Sequence, residues 1–256
     1  MQGMSLRFFE IAGDDRAVST PEATQRVGGV ETSYPVGYAG KRVRIDPTWR
    51  VLDVGSGHNP HPRADVLLEK ELEDDRDRGG DSVDASDPRL VVGDATAMPF
   101  AYQSFDYVIA SHIAEHVDDP EAFCRELIRV ARAGYIETPG WIGDRILRED
   151  YHRWRVRREG AGLRFREVTT RRPLGLTGEA FYALLYYGAN RPGHRTFRFR
   201  RRIPHWFFRA VQEGLGRLIR CPGIREQMYT CFEWRGPFQC SVQRLHEDAE
   251  TRLDRT

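Results

Sequence analysis

The chain has 256 residues, 40% of them apolar and 30% charged, with a formal net charge of +1. That length suits one α/β domain with additions, and that apolar content can fill one core. The first 25 residues lack a basic start followed by an apolar run, and no stretch approaches the ~18 consecutive apolar residues of a spanning helix, so neither export nor membrane spanning is expected and the cytoplasm is the expected compartment.

Residues 1–48 carry scattered apolar residues and turn formers (Pro21, Gly28, Gly29, Pro35, Gly37, Gly40) and read as an arm or lid. Tyr34 and Tyr38 in it can cover a ligand or pack against a sheet edge. From Trp49 the pattern becomes α/β. Apolar runs at Val51–Val54, Ala64–Leu68, Leu90–Val92, Tyr107–Ala110 and Tyr135–Ile136, each bounded by Gly, Asp, Ser or Pro, read as buried parallel strands. The acidic segment Glu71–Asp87, with Gly79-Gly80 inside it, has little to bury and reads as a mobile surface loop. Between the fourth and fifth runs, Asp119 predicts an N-cap, Pro120 a first helical position, and Phe123, Leu127, Ile128 and Ala131 one apolar face, which together mark a crossover helix.

Beyond Pro139, Trp154-Arg155-Val156-Arg157 and Leu163-Arg164-Phe165-Arg166 alternate around Glu159-Gly160-Ala161-Gly162, the pattern of a hairpin with one wet face. A helix is predicted after Thr177 and another from about Pro204, where Phe207, Val211, Leu215 and Leu218 recur at helical spacing. Tyr229–Trp234 and Phe238–Val242 flank Arg235-Gly236-Pro237 and predict a second hairpin that closes the sheet. Cys124, Cys221, Cys231 and Cys240 show no C-x-x-C pair and no histidine at ligand spacing, so reduced thiols and no metal are expected, although Cys231 and Cys240 would face each other across that second hairpin.

The most informative segment is Val51-Leu52-Asp53-Val54-Gly55-Ser56-Gly57-His58-Asn59-Pro60, a strand entering a glycine-rich turn. A side chain at Gly55 or Gly57 would occupy the volume where a ligand's polar tail lies. Taken alone, the glycines also fit a structural tight turn or the site of another nucleotide. Glu69, at the end of the second strand, can accept from two ribose hydroxyls, and Asp94, just after the third, from an exocyclic adenine amine. Three carboxylates on successive strand ends would then share one crevice.

In their order and separations, Leu52-Asp53-Val54-Gly55-Ser56-Gly57, Gly93-Asp94-Ala95 with Met98-Pro99-Phe100, Ser104–Ile109 and Ala110–Val117 resemble the class I S-adenosylmethionine-dependent methyltransferases, in particular the type 11 domain family with its ubiquinone and menaquinone methyltransferase relatives. The resemblance covers roughly residues 49–140. It implies a Rossmann-like three-layer sandwich: a mostly parallel seven-stranded sheet with an antiparallel C-terminal hairpin and an inserted hairpin and helical elaboration. The divisions are then an arm (1–48), a cofactor-binding core (49–140), a substrate-side elaboration (141–227), closing strands (228–245) and a tail (246–256). It also implies S-adenosylmethionine as cofactor and S-adenosylhomocysteine as product. Asp53, Gly55, Ser56, Gly57 and Asn59 would line the methionine part, Glu69 the ribose, Asp94 and Ala95 the adenine, with Ser111 and His112 beside the reacting methyl. Asn59 stands where the family has a third glycine and tolerates a left-handed backbone, while Pro60 and Pro62 must shorten the following helix.

Methyl transfer from a sulfonium is an in-line displacement in which a protein supplies position and dryness, and a base only for a protonated nucleophile. His112 is a candidate base, with Glu115 and His116 as further catalytic candidates; shaping the loop, capping and packing are the alternatives. His152 and Trp154 lie where this superfamily builds its acceptor pocket and are candidate substrate contacts, packing being the alternative for Trp154. The expected acceptor is a small molecule, a glycan or a lipid-linked group. Residues 1–140 hold 15 basic and 25 acidic side chains against 24 and 13 in the remainder, and Arg195–Arg202 alternates cations with aromatics, so an RNA acceptor is a second reading; a wet strand face beside an acidic half explains the same residues, and no nucleic-acid partner is expected. The stripe Phe207, Val211, Leu215 and Leu218 with Arg209, Arg217 and Arg220 fits a membrane-surface helix or, more simply, core packing. A non-catalytic cofactor-binding domain completes the alternatives, and oligomeric state is not legible.

Overall fold

Strand β3 (Val51–Val54) is buried at all its positions, as a strand covered on both faces must be. In the computed structural model, which describes residues 32–73, 82–146, 152–168 and 205–245, it is central to a sheet of order β10-β7-β6-β3-β4-β5. Its parallel partners are β4 (Val66–Glu69) and β6 (Phe105–Ser111); β5 (Leu90–Val92) extends the sheet beyond β4 and β7 (Ala131–Pro139) beyond β6, both parallel. The outer β10 (Tyr229–Arg235) runs antiparallel to β7. The predicted mostly parallel α/β sheet is therefore present, with six strands among the described residues rather than seven.

Helix α1 (Pro120–Val130) begins as its local signals dictate, with Asp119 accepting from the backbone N–H groups of Glu121 and Ala122. It passes into β7 without a loop, since Val130 ends one and Ala131 begins the other. Pro60 and Pro62 suppress a helix between β3 and β4, and residues 55–65 cross as turns. Asn59 closes one of them through its N–H to Ser56 O (3.3 Å). It does so without a left-handed backbone, which among non-glycine described residues belongs to Gln103 and His112.

Alternate residues of the central strands feed two cores. Leu52, Val54, Val108 and Ala110 pack with Phe123, Leu127 and Val130 of α1, and with Trp154, Val156, Leu163 and Phe165 of the hairpin β8 (Trp154–Glu159) and β9 (Gly162–Glu167). On the opposite face, Val51, Tyr107, Ile109, Ala133 and Tyr135 meet Val36, Val43 and Ile45 from an antiparallel hairpin, β1 (Thr32–Val36) and β2 (Lys41–Ile45). The arm expected over residues 1–48 is thus, in its described part, a sheet-covering layer that occupies the place expected of helices.

Strand β11 (Gln239–Gln243) corrects the predicted second hairpin. It does not pair with β10; it runs parallel to β9 in a separate three-stranded sheet. Gly162 makes this possible, because a Cβ there would strike the Gln239 carbonyl. Cys231 and Cys240 consequently lie in different sheets, and both are free thiols. Helices α2 (Trp141–Ile146), α3 (His205–Ile219) and α4 (Arg225–Met228) lie beyond β7, and Ile219 packs with Ala39, Met228 and Tyr229. On α3, Leu215 is partly buried against that cluster while Leu218 is 50% exposed. The helix predicted after Thr177, the stretch Arg195–Arg202, and residues 74–81 of the acidic segment lie outside the described residues. No helix of the described residues is long and apolar enough to cross a membrane.

Gly37 and Gly160 both have positive φ, at +61° and +56°, but a Cβ at Gly37 would run into the Glu137 carboxylate whereas one at Gly160 meets nothing among the described residues. Denaturant unfolding of the two alanine variants separates backbone strain from collision. Gly160→Ala should cost about 1 kcal/mol, and Gly37→Ala more than about 3 kcal/mol. Equal losses would show that the first hairpin's turn does not depend on Glu137.

Candidate active site

The chain winds from β3 to β4 to β5 in one direction and then returns to lay β6 on the other side of β3. Connections leaving the carboxyl ends of β3 and β6 diverge at such a switch point and leave a crevice. The turn after β3 holds Gly55 and Gly57 at φ +65° and +59°, with Gly55 N–H donating to Leu68 O (2.8 Å). A Cβ on Gly55 would lie 2.5 Å from Ile113 Cδ1. Gly55 is therefore required for two turns of the chain itself to close on each other, a correction to the expectation that its side-chain volume is reserved for a ligand.

The carboxylates predicted at the strand ends occupy this edge with distinct partners. Glu69, 5% exposed, accepts through Oε1 from Ser56 Oγ (2.8 Å) and Gly57 N (2.6 Å), so it braces the glycine turn. Asp53, 4% exposed, accepts from His61 N (2.8 Å) through Oδ2. Burial pushes its pKa up to about 7 against the pull of that N–H, with the neighbouring Glu69 adding to the rise. Asp94 accepts through Oδ1 from Thr96 N and Oγ1, and its Oδ2 lies 2.8 Å from Lys70 Nζ. Burial opposes its charge, but Lys70 and Thr96 prevail and hold its pKa at about 2. Lys70 also lies 3.5 Å from Asp118 Oδ2. The sequence gives no local sign of this lysine's role, because both its partners come from later segments.

Around the end of β6 a second polar cluster forms. His112 has φ +57°, a conformation that costs a non-glycine residue about 1 kcal/mol or more and persists only when neighbours impose it. Its N–H donates to Glu137 O (2.8 Å). Ring Nδ1 lies 3.2 Å from Glu115 Oε1 and Nε2 3.3 Å from Glu137 Oε1, which are ion-pair distances rather than aligned hydrogen bonds. Burial disfavours a charged ring, but the two carboxylates outweigh it and lift the pKa to about 10. Carboxylates at both ring nitrogens favour the doubly protonated ring over the neutral imidazole of a candidate base, in keeping with the alternative role of shaping the loop. Beside it the buried Ser111 Oγ has no hydrogen-bond partner among the described residues.

Glu137 is the residue that sequence reasoning missed. Fully buried in β7, it accepts from Ala39 N (3.1 Å) and Tyr135 Oη (2.5 Å) and faces His112. It thereby fixes the hairpin turn that sets Tyr38 edge-on to His112, ring centroids 4.9 Å apart. A second tether runs from Pro35 O to His61 Nε2 (3.2 Å), while His61 Nδ1 accepts from Arg63 N; these partners define a neutral Nε2–H tautomer, in keeping with a pKa lowered chiefly by burial. Tyr34 packs edge-on to the same ring.

Trp154 is a core residue, as the packing alternative has it and not the candidate substrate contact: it is 4% exposed, its indole N–H donates to Val117 O (2.7 Å), and it meets Phe165 edge-on. Glu115, 1% exposed, lies beneath His112 rather than facing outward. His116 packs edge-on to His152 at 4.9 Å, and His152 Nδ1 lies 3.8 Å from Asp144 Oδ1. The site residues thus fall into two groups: the glycine turn with Asp53, Glu69 and Asp94, and the cluster of His112, Glu115, His116 and His152.

Residues 67–136 match the family described as Methyltransferase domain. Over 43 residues the chain is 49% identical to ajmaline N-methyltransferase of Rauvolfia serpentina, covering 17% of this chain and 15% of that one. Over 93 residues it is 38% identical to demethylmenaquinone methyltransferase of Renibacterium salmoninarum, covering 34% and 39%. The chain spans 40% or less of the length of the curated relatives it matches. Among solved structures, the YcgJ protein of Bacillus subtilis aligns with a TM-score of 0.30 at 21% identity, over 41% of this chain and 54% of that one. Residues 67–136, which run from β4 to β7, are thus the part of the chain that is similar to the Methyltransferase domain family.

Proposed function

We propose that this chain is an S-adenosylmethionine-dependent methyltransferase acting on a small-molecule, glycan or lipid-linked acceptor. The observation that carries the reading is the placement of a positive-φ glycine turn, braced by Glu69, at the switch point of a parallel sheet, with Asp94 beyond the adjoining strand. The donor and acceptor chemistry fits the cofactor. Glu69 Oε2 accepts no hydrogen bond among the described residues, which suits a ribose diol, and Asp94 retains lone pairs beyond those engaged by Thr96 and Lys70, which suits an exocyclic amine. Asp53 suits the ammonium of the methionine portion.

When bound, S-adenosylmethionine supplies a methyl group on a sulfonium, an electrophile that needs no further activation. The chain's contribution is then position and exclusion of water. His112, engaged at both nitrogens, acts as a positioning residue that fixes the turn beyond β6, and Tyr38 covers it from the hairpin. A small-molecule acceptor is supported by the relatives named for ajmaline and demethylmenaquinone.

Titration calorimetry with S-adenosylmethionine and S-adenosylhomocysteine tests the site. Asp94→Ala should weaken both ligands by about 1 to 3 kcal/mol, because an adenine amine loses its acceptor. Affinity unchanged by the substitution would sink this placement of the adenine.

Asp53 adds a pH signature. Its raised folded pKa means that the free fold favours the protonated acid, so its stabilising contribution is complete below the unfolded carboxylate range and is lost as pH rises through about 7. An ammonium at Asp53 favours the carboxylate and reverses that preference. Cofactor binding should release a proton near neutral pH and be about tenfold weaker at pH 6 than at pH 8. Calorimetry in buffers of different ionisation enthalpy measures the release, and Asp53→Asn should abolish it.

A further inference from the structure

Glu115, His116 and His152 come from two segments that the backbone locks together: Glu115 O accepts from Arg153 N (2.8 Å) and from Trp154 N (3.1 Å), and His116 N donates to Ile113 O (2.9 Å). One ligand-type atom from each of the three side chains lies within 4.8 Å of the others. Glu115 is 1% exposed, yet among the described residues neither of its carboxylate oxygens accepts an aligned hydrogen bond. His112 brings positive charge to Oε1 alone, and a buried carboxylate oxygen without a partner, as Oε2 is among the described residues, is costly unless a cation completes it. His112 faces Oε1 from one side at 3.2 Å, and His116 Nε2 stands 3.9 Å from that same oxygen.

We propose that Glu115, His116 and His152 form a binding site for a divalent transition-metal ion of the zinc, cobalt or iron type, a site that does not depend on the proposed methyl transfer. Two imidazoles and one carboxylate are a donor set for such ions, whereas magnesium and calcium favour all-oxygen sites. Ligand bonds of about 2.1 Å in a tetrahedral arrangement put donor atoms about 3.4 Å apart. Side-chain rotation over roughly an ångström, on a backbone already fixed, therefore closes the site. Metal-bound histidines use a carboxylate on their second nitrogen, and one stands near His152, at ion-pair rather than hydrogen-bond distance. Asp144 Oδ1 lies 3.8 Å from His152 Nδ1, and its Oδ2 is anchored by Arg155 Nε (2.6 Å). Three protein ligands leave one coordination position open, and the ion would lie beneath the turn that carries His112.

Local sequence conceals the set. Glu115 and His116 are adjacent and His152 lies 36 positions after His116, with no spacing pattern joining them; the expectation of no metal rested on the cysteines.

The test is titration of untagged, chelator-dialysed full-length protein with cobalt(II), read by its ligand-field absorption, followed by displacement with zinc(II). The proposal expects one saturable cobalt(II) per chain with a four- or five-coordinate spectrum, displaced by zinc(II) and unaffected by excess magnesium(II). His152→Asn and, separately, His116→Asn should weaken binding more than about a hundredfold, and Asp144→Asn about tenfold. Zinc(II) should raise the melting temperature of the wild type and not of the histidine variants, a comparison made on whichever variant shows a cooperative unfolding transition. Cobalt(II) binding of unchanged affinity in either histidine variant, or no saturable binding to wild type, would overturn the site.

Discussion

A carboxylate with no access to water must find donors or a positive charge inside the protein, and Glu137 finds them from three directions. Tyr135 reaches it from the same strand, Ala39 from the first hairpin, and His112 from the turn beyond the neighbouring strand. Each partner is committed by that contact. The turn before Ala39 must place Gly37 against the carboxylate with no side chain in between, and His112 must accept a left-handed backbone to face it. Register adds to this, since Ser111 pairs with Glu137 across β6 and β7, so His112 follows the last paired residue. Loss of one partner would leave a buried charge undercompensated, and such losses exceed the strength of any single hydrogen bond.

The same constraint explains how one face of the sheet is covered without helices. Pro60 and Pro62 remove the crossover between β3 and β4 that would ordinarily lie there. The exposed side chains of β3, β6 and β7 then need another cover, and Val36, Val43 and Ile45 provide it. Apolar packing alone does not fix where a two-stranded ribbon sits on a flat apolar face. Two polar tethers at the turn end of the hairpin, from Pro35 near the end of β1 to His61 and from Ala39 in the turn beyond it to Glu137, do fix it. Since His61 also donates its backbone N–H to Asp53, the hairpin's position reaches the glycine turn and the β6 turn together.

Legibility in the sequence followed the range of the interaction. Helix α1 announces itself through Asp119, Pro120 and Glu121, whose capping partners are two or three residues away, and the buried strands announce themselves as apolar runs with turn residues at both ends. The hairpin of β8 and β9 was legible for the same reason. Strand β11 was legible as a strand but not in its partner: Gly236 and Pro237 suggest a local return onto β10, whereas the decisive feature is the bare Gly162 against which the Gln239 carbonyl settles. Of the site, the acids at the strand ends were found, because a carboxylate after an apolar run is a local signal. Glu137 was not, since Ala39 lies 98 positions away. Lys70 was missed for want of a local partner, and His112 was found in place but not its protonation, which only the approach of Glu115 and Glu137 decides.

Two surfaces of unlike character therefore meet along β6. On the β3 side lie backbone N–H groups and carboxylates fixed by short hydrogen bonds, a rigid acceptor-rich edge suited to a ligand with several hydroxyls and amines. On the β7 side lie imidazoles and buried acids held by ion-pair distances and edge-on rings, a cluster whose charges balance only as a group. Ile113 sits between them, its side chain against Gly55 and its carbonyl accepting from His116. A shift of the glycine turn is thereby opposed by packing against the same residue that anchors the histidine cluster. The two halves are mechanically joined at one apolar side chain, so geometry set at the glycine turn is transmitted to the histidine cluster.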